Sequence, residues 1–465
     1  MTNLDIDRKR LDLISSEQAW HYGILPKTGN TAQQEFYCLH KTSEIQEELE
    51  LLIGDSVLLV EAEEQEMKKE LLICYPSREQ TASRTGEIDG DYSNFLPELI
   101  REAGLLKSSD IHIEIYEEEC RIRFRVDGKL TKRYGFDREK YPALVNRIKI
   151  QANLDIAEKR LPQDGRIIYK DDHTDTDIRV SVLPTLYGEK VVLRLLNKNI
   201  GNVSLKDLGF TGEQLEQYTK AIQKPHGIVL ISGPTGSGKT TTLYASLKML
   251  NQENVNILTI EDPVEYTLEG INQVQVKEDI GLSFAAALRT FLRQDPDIIM
   301  LGEIRDHESA QMAIRSALTG HLVFSTIHTN SAFGTISRLL DMDIPPYLLA
   351  GTLNLSMAQR LIRLLCPRCK QEEKFNPQLL PPSLKLPFEI KNHYSARGCE
   401  HCFYTGYSGR KAIYELIAVD GEIAEGIKNN TLKEDSLKYM KLKDTALRLF
   451  AEGQTSINEI TPYLI

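Results

Sequence analysis

The run Gly233-Pro234-Thr235-Gly236-Ser237-Gly238-Lys239-Thr240 is a complete G-x-x-x-x-G-K-[ST] match and the strongest chemical signal in the chain. Its glycines let successive backbone N–H groups turn toward phosphate oxygens, and the helix that opens there adds its partial positive charge. Lys239 is placed to reach the β- and γ-phosphates. The Thr240 hydroxyl is placed to ligate Mg²⁺, with Thr241 beside it in the same helical turn. A buried strand, Ile228–Ser232, leads into the loop and a helix over Thr240–Asn251 leads out of it. That context separates a phosphate cradle from an ordinary glycine-rich turn. Alone, the motif says only that the chain takes a nucleotide.

Hydrolysis also needs a group to position water and groups that sense the γ-phosphate. Three clusters sit at ends of expected strands, where open α/β sheets bind ligands. Glu261, Asp262 and Glu265 follow the strand Asn256–Ile260. The apolar run Asp297–Leu301 ends in Gly302-Glu303. Such strands usually present an aspartate to the metal, but here that position is Gly302. Glu303 is therefore the expected base, and Mg²⁺ ligation falls on Thr240 and water, with Glu261 and Asp262 as further candidates. His321 and His328 bracket the strand Leu322–Thr326, and His328, at its carboxyl end, is placed to report on the γ-phosphate. Singly, each cluster reads as readily as an acidic turn or a packed histidine. In order after a phosphate loop, on separate strands of one sheet, they read as one site.

These residues need a frame. The chain has 465 residues, 41% hydrophobic and 26% charged, which suits about three globular domains and excludes sustained disorder. No apolar run reaches the ~18 residues of a membrane span, and the charged start, Met1 to Arg10, predicts no secretory leader. The net charge is −11, and the first 90 residues alone hold 9 basic and 18 acidic side chains. That balance argues against a nucleic-acid partner, which wants a basic stripe.

A polar lead is expected over 1–20 and a small α/β module over 21–76, with strands at Glu35–Leu39 and Ser56–Val60 and helices at Thr42–Leu52 and Glu61–Leu72. The polar stretch 77–92 reads as a linker. An α+β domain is expected over 93–196: a helix at 93–110, strands at Ile111–Ile115 and Cys120–Val126, an Asp127-Gly128 turn, a helix near Tyr141–Asn153, and strands at Asp177–Leu183 and Lys190–Leu196. Residues 197–209 read as a hinge. From 210 to 465 strands and helices alternate as in a parallel sheet, with 411–465 mostly helical.

Cys366, Cys369, Cys399 and Cys402 form two C-x-x-C pairs with 29 residues between them. Four thiolates so spaced suit a closed, structural Zn²⁺ site within 360–410, whose proline-rich stretch 370–398 looks irregular. His401 is not counted as a ligand. Cys38, Cys74 and Cys120 read as ordinary buried residues, and the odd total of 7 favours a reducing compartment over a disulfide framework.

Gly233–Thr240, Ile260-Glu-Asp-Pro-Val-Glu265, Arg293–Asp306 and Thr319–Thr329 closely resemble the Walker A motif, Asp box, atypical Walker B motif and His box of secretion ATPases. The family is that of the type II secretion and type IV pilus assembly ATPases (GspE/PilB). The resemblance runs over roughly 95–420 and takes in Ser109–Ile113, Arg123–Gly128 and Arg160–Arg166. It implies a RecA-like P-loop NTPase domain preceded by a PAS-like α+β domain and a small N-terminal module, in a homohexameric ring that hydrolyses ATP with Mg²⁺. It implies that the preceding domain supplies arginines, matched here by Arg179 and Arg194, with Arg160 and Arg166 second. It implies catalytic roles for Glu303, Lys239, Glu265 and His328, and a Zn²⁺-binding tetracysteine element of the kind retraction motors lack. Implied partners are an inner-membrane platform protein and the cytoplasmic domain of an assembly protein, with the ATPase peripheral at the inner face of the plasma membrane. The early helical module of the fullest members, which in some binds cyclic-di-GMP, is expected to be missing or shortened here. Three other readings stay open at this level: a pilus-retraction motor, a DNA-uptake or conjugation-type ring, and a nucleotide-gated scaffold without turnover.

Overall fold

The computed structural model describes residues 6–14, 16–28, 34–75, 95–171, 174–197, 203–377 and 390–464, together with 380, 381, 384, 386 and 388. The expected linker 77–92 and the hinge positions 198–202 lie outside the described residues. Buried apolar side chains fall into separate clusters, one among residues 14–75, one among 95–193, and two on either side of a sheet formed after 205.

In the first part, β1 (Ile24–Pro26), β2 (Gln34–Cys38) and β3 (Val57–Glu61) make a three-stranded sheet in that order. The helix Ser43–Ile53 between β2 and β3 starts at Thr42, whose side chain accepts from Ile45 N, and stops at Gly54 in a left-handed conformation. The expected polar lead is corrected here. Residues 8–13 and 16–22 are helical, Ile14 and Ala19 are buried, and Trp20 Nε1 donates to the Tyr75 carbonyl at 2.6 Å. Isolated apolar residues in a polar stretch join the core of this first part.

The second part is an all-antiparallel six-stranded sheet: β4 (Asp110–Ile115), β5 (Cys120–Val126), β6 (Lys129–Phe136), β7 (Gln163–Asp171), β8 (Thr174–Thr185) and β9 (Gly188–Asn197), ordered β6-β5-β4-β9-β8-β7. Helices Phe95–Leu105 and Tyr141–Gln151 supply residues to its core. The first helix stops short of the expected 110. Lys107 takes a positive φ of 51°, and Asp110 already pairs with Arg125. Asp127 (φ 48°) and Gly128 (φ 84°) form the tight turn from β5 to β6, as their types suggest.

After 205 the chain builds a seven-stranded sheet from β10 (Gly227–Ser232), β11 (Ile257–Glu261), β12 (Asn272–Gln275), β13 (Ile298–Leu301), β14 (Leu322–Ile327), β15 (Leu353–Leu365) and, after the cysteine region, β18 (Tyr407–Ala418). The order is β12-β11-β13-β14-β10-β15-β18, parallel except for the β15–β18 pair. All six residues of β10 are buried, which is why Ile228–Ile231 reads as an unbroken apolar run. The expected helical stretch 411–465 is corrected at its start: Lys411–Ala418 belongs to β18, and helices begin at Gly421. The stretch 370–398 is also less irregular than expected. β16 (Gln371–Lys374) pairs antiparallel with β17 (Asn392–Ser395), and Phe375 and His393 pack on Phe450. Among the described residues no helix is long and apolar enough to cross a membrane.

Candidate nucleotide and metal sites

Register decides what meets at the carboxyl edge of the large sheet. β10 lies beside β14 rather than β11, with Ser232 opposite Ile327, and Leu301 of β13 lies opposite Ser325. Gly233, Asp262, Glu303 and His328 therefore all emerge along one edge, where strand order reverses. Gly302 N donates to the Ile260 carbonyl at 2.8 Å, and Thr326 Oγ1 donates to the Gly302 carbonyl at 2.8 Å. The ends of β11, β13 and β14 are thus tied together. Gly302 is crowded: a Cβ there would sit 3.1 Å from the Ile260 carbonyl oxygen and 3.3 Å from Phe284. A side chain at that position would press on the Ile260 carbonyl and the Phe284 ring, which would have to yield by a few tenths of an ångström.

The loop 233–238 is shaped to cradle phosphate. Gly236 and Gly238 have φ of +79° and +87°, and a Cβ on Gly238 would lie 2.8 Å from Gln359 Nε2. Pro234, Thr235, Gly236 and Thr240 are open to solvent, while Ser237 is buried with an Oγ that has no partner among the described residues. Lys239 Nζ donates to the Gly233 carbonyl at 2.7 Å and the Pro234 carbonyl at 3.1 Å. Burial lowers its pKa; Glu303 opposes that shift and Arg360 adds to it.

Glu303 is the hub of the polar edge. Its Oε2 stands 3.0 Å from His328 Nε2, and its Oε1 accepts from Arg305. Arg305 also reaches Asp262 Oδ2 at 3.2 Å. Arg305 carried no role in the sequence reading; its place two residues after Glu303, on the return from β13, was the available signal. His321 lies at the opposite end of β14, with Nδ1 2.9 Å from the Ser316 carbonyl.

Glu261 and Asp262 part company although adjacent. Glu261 is 4% exposed and accepts from Tyr244 Oη, from Thr259 Oγ1 at 2.6 Å and from Gln273 Nε2 at 3.1 Å. The Tyr244 phenol is pushed well above its ordinary range by burial and by this carboxylate. Three donors enclose Glu261 inside the fold, whereas Asp262 stands at the surface with Arg305.

The six-stranded sheet offers its arginines as a row. Cross-strand pairing runs Arg125–Asp110–Arg194–Arg179–Arg166 over β5, β4, β9, β8 and β7. Arg179 crosses to the large sheet: its Nη2 donates to the Val264 carbonyl at 2.5 Å, and its Nη1 lies 3.7 Å from Glu265. Arg194 does not cross. Its Nε is held by Asp110 Oδ1 at 2.9 Å, and Arg125 leans on the same carboxylate at 3.4 Å. Arg160 and Arg166 pair locally with Glu158 and Asp177. The Asp127-Gly128 turn adds a second contact between the two sheets, because Asp127 Oδ2 accepts from Gly409 N at 2.9 Å and Arg410 lies 3.4 Å from its other oxygen.

The four paired cysteines converge. Their Sγ atoms all lie within 4.8 Å of one another, at 3.8 Å for Cys366–Cys399, 3.7 Å for Cys369–Cys402 and 3.8 Å for Cys399–Cys402. Four sulfurs about 2.3 Å from a tetrahedral centre stand ~3.8 Å apart, while a disulfide needs about 2.05 Å. Backbone N–H groups of Cys399 and Gly406 point at Cys402 Sγ at 3.2 and 3.3 Å. The donor set fits Zn²⁺.

A phosphate loop at the reversal point of a parallel sheet, facing a glutamate–histidine pair, defines a RecA-like P-loop NTPase. A family described as "Type II/IV secretion system protein" matches residues 87–462, and the chain belongs to that family. It is 47% identical over 370 residues to the type II secretion system protein E of Pseudomonas aeruginosa, covering 78% of this chain and 73% of that protein. It is 48% identical over 372 residues to the type IV pilus assembly ATPase PilB of Myxococcus xanthus, covering 78% and 66%. Among solved structures, the Legionella pneumophila ATPase DotB superposes with a TM-score of 0.61 at 21% identity, covering 81% of this chain and 97% of that one.

Proposed function

We propose that this chain hydrolyses ATP to drive assembly of a pseudopilus or pilus, as a homohexameric ring at the inner face of the plasma membrane. The observation that carries the reading is the Glu303–His328 contact at 3.0 Å on the edge that presents Lys239. In it, the backbone of Gly233–Thr241 and the Lys239 ammonium bind the phosphates. Glu303 takes the proton of the attacking water, and His328, hydrogen-bonded to Glu303, fixes that carboxylate's orientation. Thr240 and Asp262 are the groups that would hold Mg²⁺, which supplies neutralisation of phosphate charge when bound. Glu261 acts as frame instead of ligand, because its lone pairs are engaged inside the fold.

Arg179 and Glu265 connect nucleotide state to movement of the six-stranded sheet, since their contact bridges it to the loop after β11. Arg194, held by Asp110, is the second arginine available to a phosphate group when that grip is exchanged. The four cysteines hold a structural Zn²⁺ that cross-links the ends of β15 and β18. A platform protein in the membrane and the cytoplasmic domain of an assembly protein are the partners of this reading, with no nucleic acid.

Phosphate release by the purified chain tests it. Turnover is expected to vanish in Lys239→Ala and to fall ~10²–10⁴-fold in Glu303→Gln with nucleotide binding retained. Wild-type turnover by Glu303→Gln rules out the assignment of the base.

A further inference from the structure

The recognised motifs leave out one cation at the phosphate loop. Arg360, on β15, is 9% exposed and makes no ion pair among the described residues. Its Nη1 donates to the Gln359 carbonyl and its Nη2 to the Asn330 carbonyl, each at 3.0 Å. A buried charge without an acid partner is costly, so a fold that keeps one has a use for its field or its reach. Burial lowers the pKa of this guanidinium, with Tyr463 and Glu415 supporting the charged form.

Its position shows both uses. A Cβ on Gly233 would stand 3.1 Å from Arg360 Nη1, so the guanidinium packs directly on the first glycine of the phosphate loop. The neighbouring Gln359 grips the same loop and the helix after it: its Nε2 donates to the Ser237 carbonyl, and Thr242 Oγ1 donates to its Oε1, both at 2.8 Å. At the other end, Asn330 lies two residues past His328, on the same turn from β14. One planar group therefore packs on the start of the phosphate loop, which leads to Lys239, and donates to the loop that carries His328.

We infer that Arg360 is a positioning residue for hydrolysis, holding the phosphate loop and the His328 loop at the separation at which Lys239 and the Glu303–His328 pair face one phosphate group. The inference rests on the ATPase reading above. Lysine preserves the charge but cannot donate to two carbonyls from a planar fork.

The test uses the full chain with Arg360→Lys and His328→Ala, alone and together, measuring kcat, KM for ATP, affinity for a fluorescent ATP analogue and melting temperature. Arg360→Lys is expected to lose at least about tenfold in kcat while KM and analogue affinity stay within about threefold. Adding Arg360→Lys to His328→Ala is expected to cost less than about twofold more, since Arg360 acts through the loop that carries His328. Wild-type kcat in Arg360→Lys, or losses that multiply independently, overturns the inference. If Arg360→Lys melts early, Arg360→Ala supplemented with guanidinium at ~10 mM, below denaturing levels, decides the matter: recovery of kcat at unchanged melting temperature supports it, and no recovery overturns it. Absence of phosphate release from the wild-type chain removes the ATPase reading and this inference together; the Arg360 results on an active chain remove the inference alone.

Discussion

Replacing Glu261 by glutamine separates a buried frame from a metal ligand at a residue whose sequence context fits either. The carboxylate accepts from Tyr244, Thr259 and Gln273 and is 4% exposed. Glutamine offers one carbonyl oxygen and an NH₂, so one of the two accepting positions now donates: placed toward Gln273 it meets another donor, and placed toward Tyr244 it obliges the phenol to turn its proton away. Losing a hydrogen bond to a charged group costs about 1.5–3 kcal/mol, and a donor left unmet in the interior costs about 1–3 kcal/mol. A net loss of ~3 kcal/mol follows. For a lobe of this size that is a melting temperature lower by about 6–12 °C. Nucleotide-free protein is used, because bound ligand would mask the shift. The Mg²⁺ concentration for half-maximal hydrolysis is expected to stay where it is in the wild type, whereas Asp262→Asn, at the surface, moves that concentration and leaves melting nearly unchanged. An E261Q protein that melts with the wild type yet needs tenfold more Mg²⁺ refutes the reasoning.

Metal analysis of protein purified without chelator is expected to find about one zinc per chain, and Cys402→Ser to lose it together with protection of the β16–β17 hairpin from proteolysis. A second expectation concerns Glu114, a buried carboxylate near the end of β4. Burial pushes its pKa up, but hydrogen bonds from Arg123, Arg121 and Lys190 outweigh that and bring it down to about 2. A folded-state pKa below the unfolded one adds stability that is present above the ordinary carboxylate range and fades as pH falls toward 2, here on the order of 3 kcal/mol. Glu114→Gln should therefore weaken resistance to urea at pH 7 by about that amount, with the gap to wild type narrowing at pH 3; a gap independent of pH contradicts this.

The phosphate loop, the Glu303 and His328 candidates and the cysteine pairs were legible because local sequence carries their chemistry. A glycine run between a buried strand and a helix has one geometry, and paired cysteines at close spacing have few uses. The four central parallel strands were legible for a related reason: strands buried on both faces are mostly apolar, as Ile228–Ile231 and Ile298–Leu301 are. Strands β7, β15 and β18 were not, since Leu353–Leu365 mixes Asn354, Gln359 and Arg360 into an apolar run and acquires its meaning only from what it pairs with.

Tertiary structure alone separated residues of like charge. Glu261 turns inward and Asp262 outward, although the chain spells them as one acidic turn, because Tyr244 and Gln273 arrive from elsewhere to enclose the first. Arg179 and Arg194 alternate alike on neighbouring strands, yet one reaches the Val264 carbonyl and the other is held by Asp110. Local chemistry depends on neighbours along the chain and is written there. Which long side chain finds an acid, a carbonyl or a phosphate loop depends on strand register and sheet order, which bring together residues separated by a hundred positions.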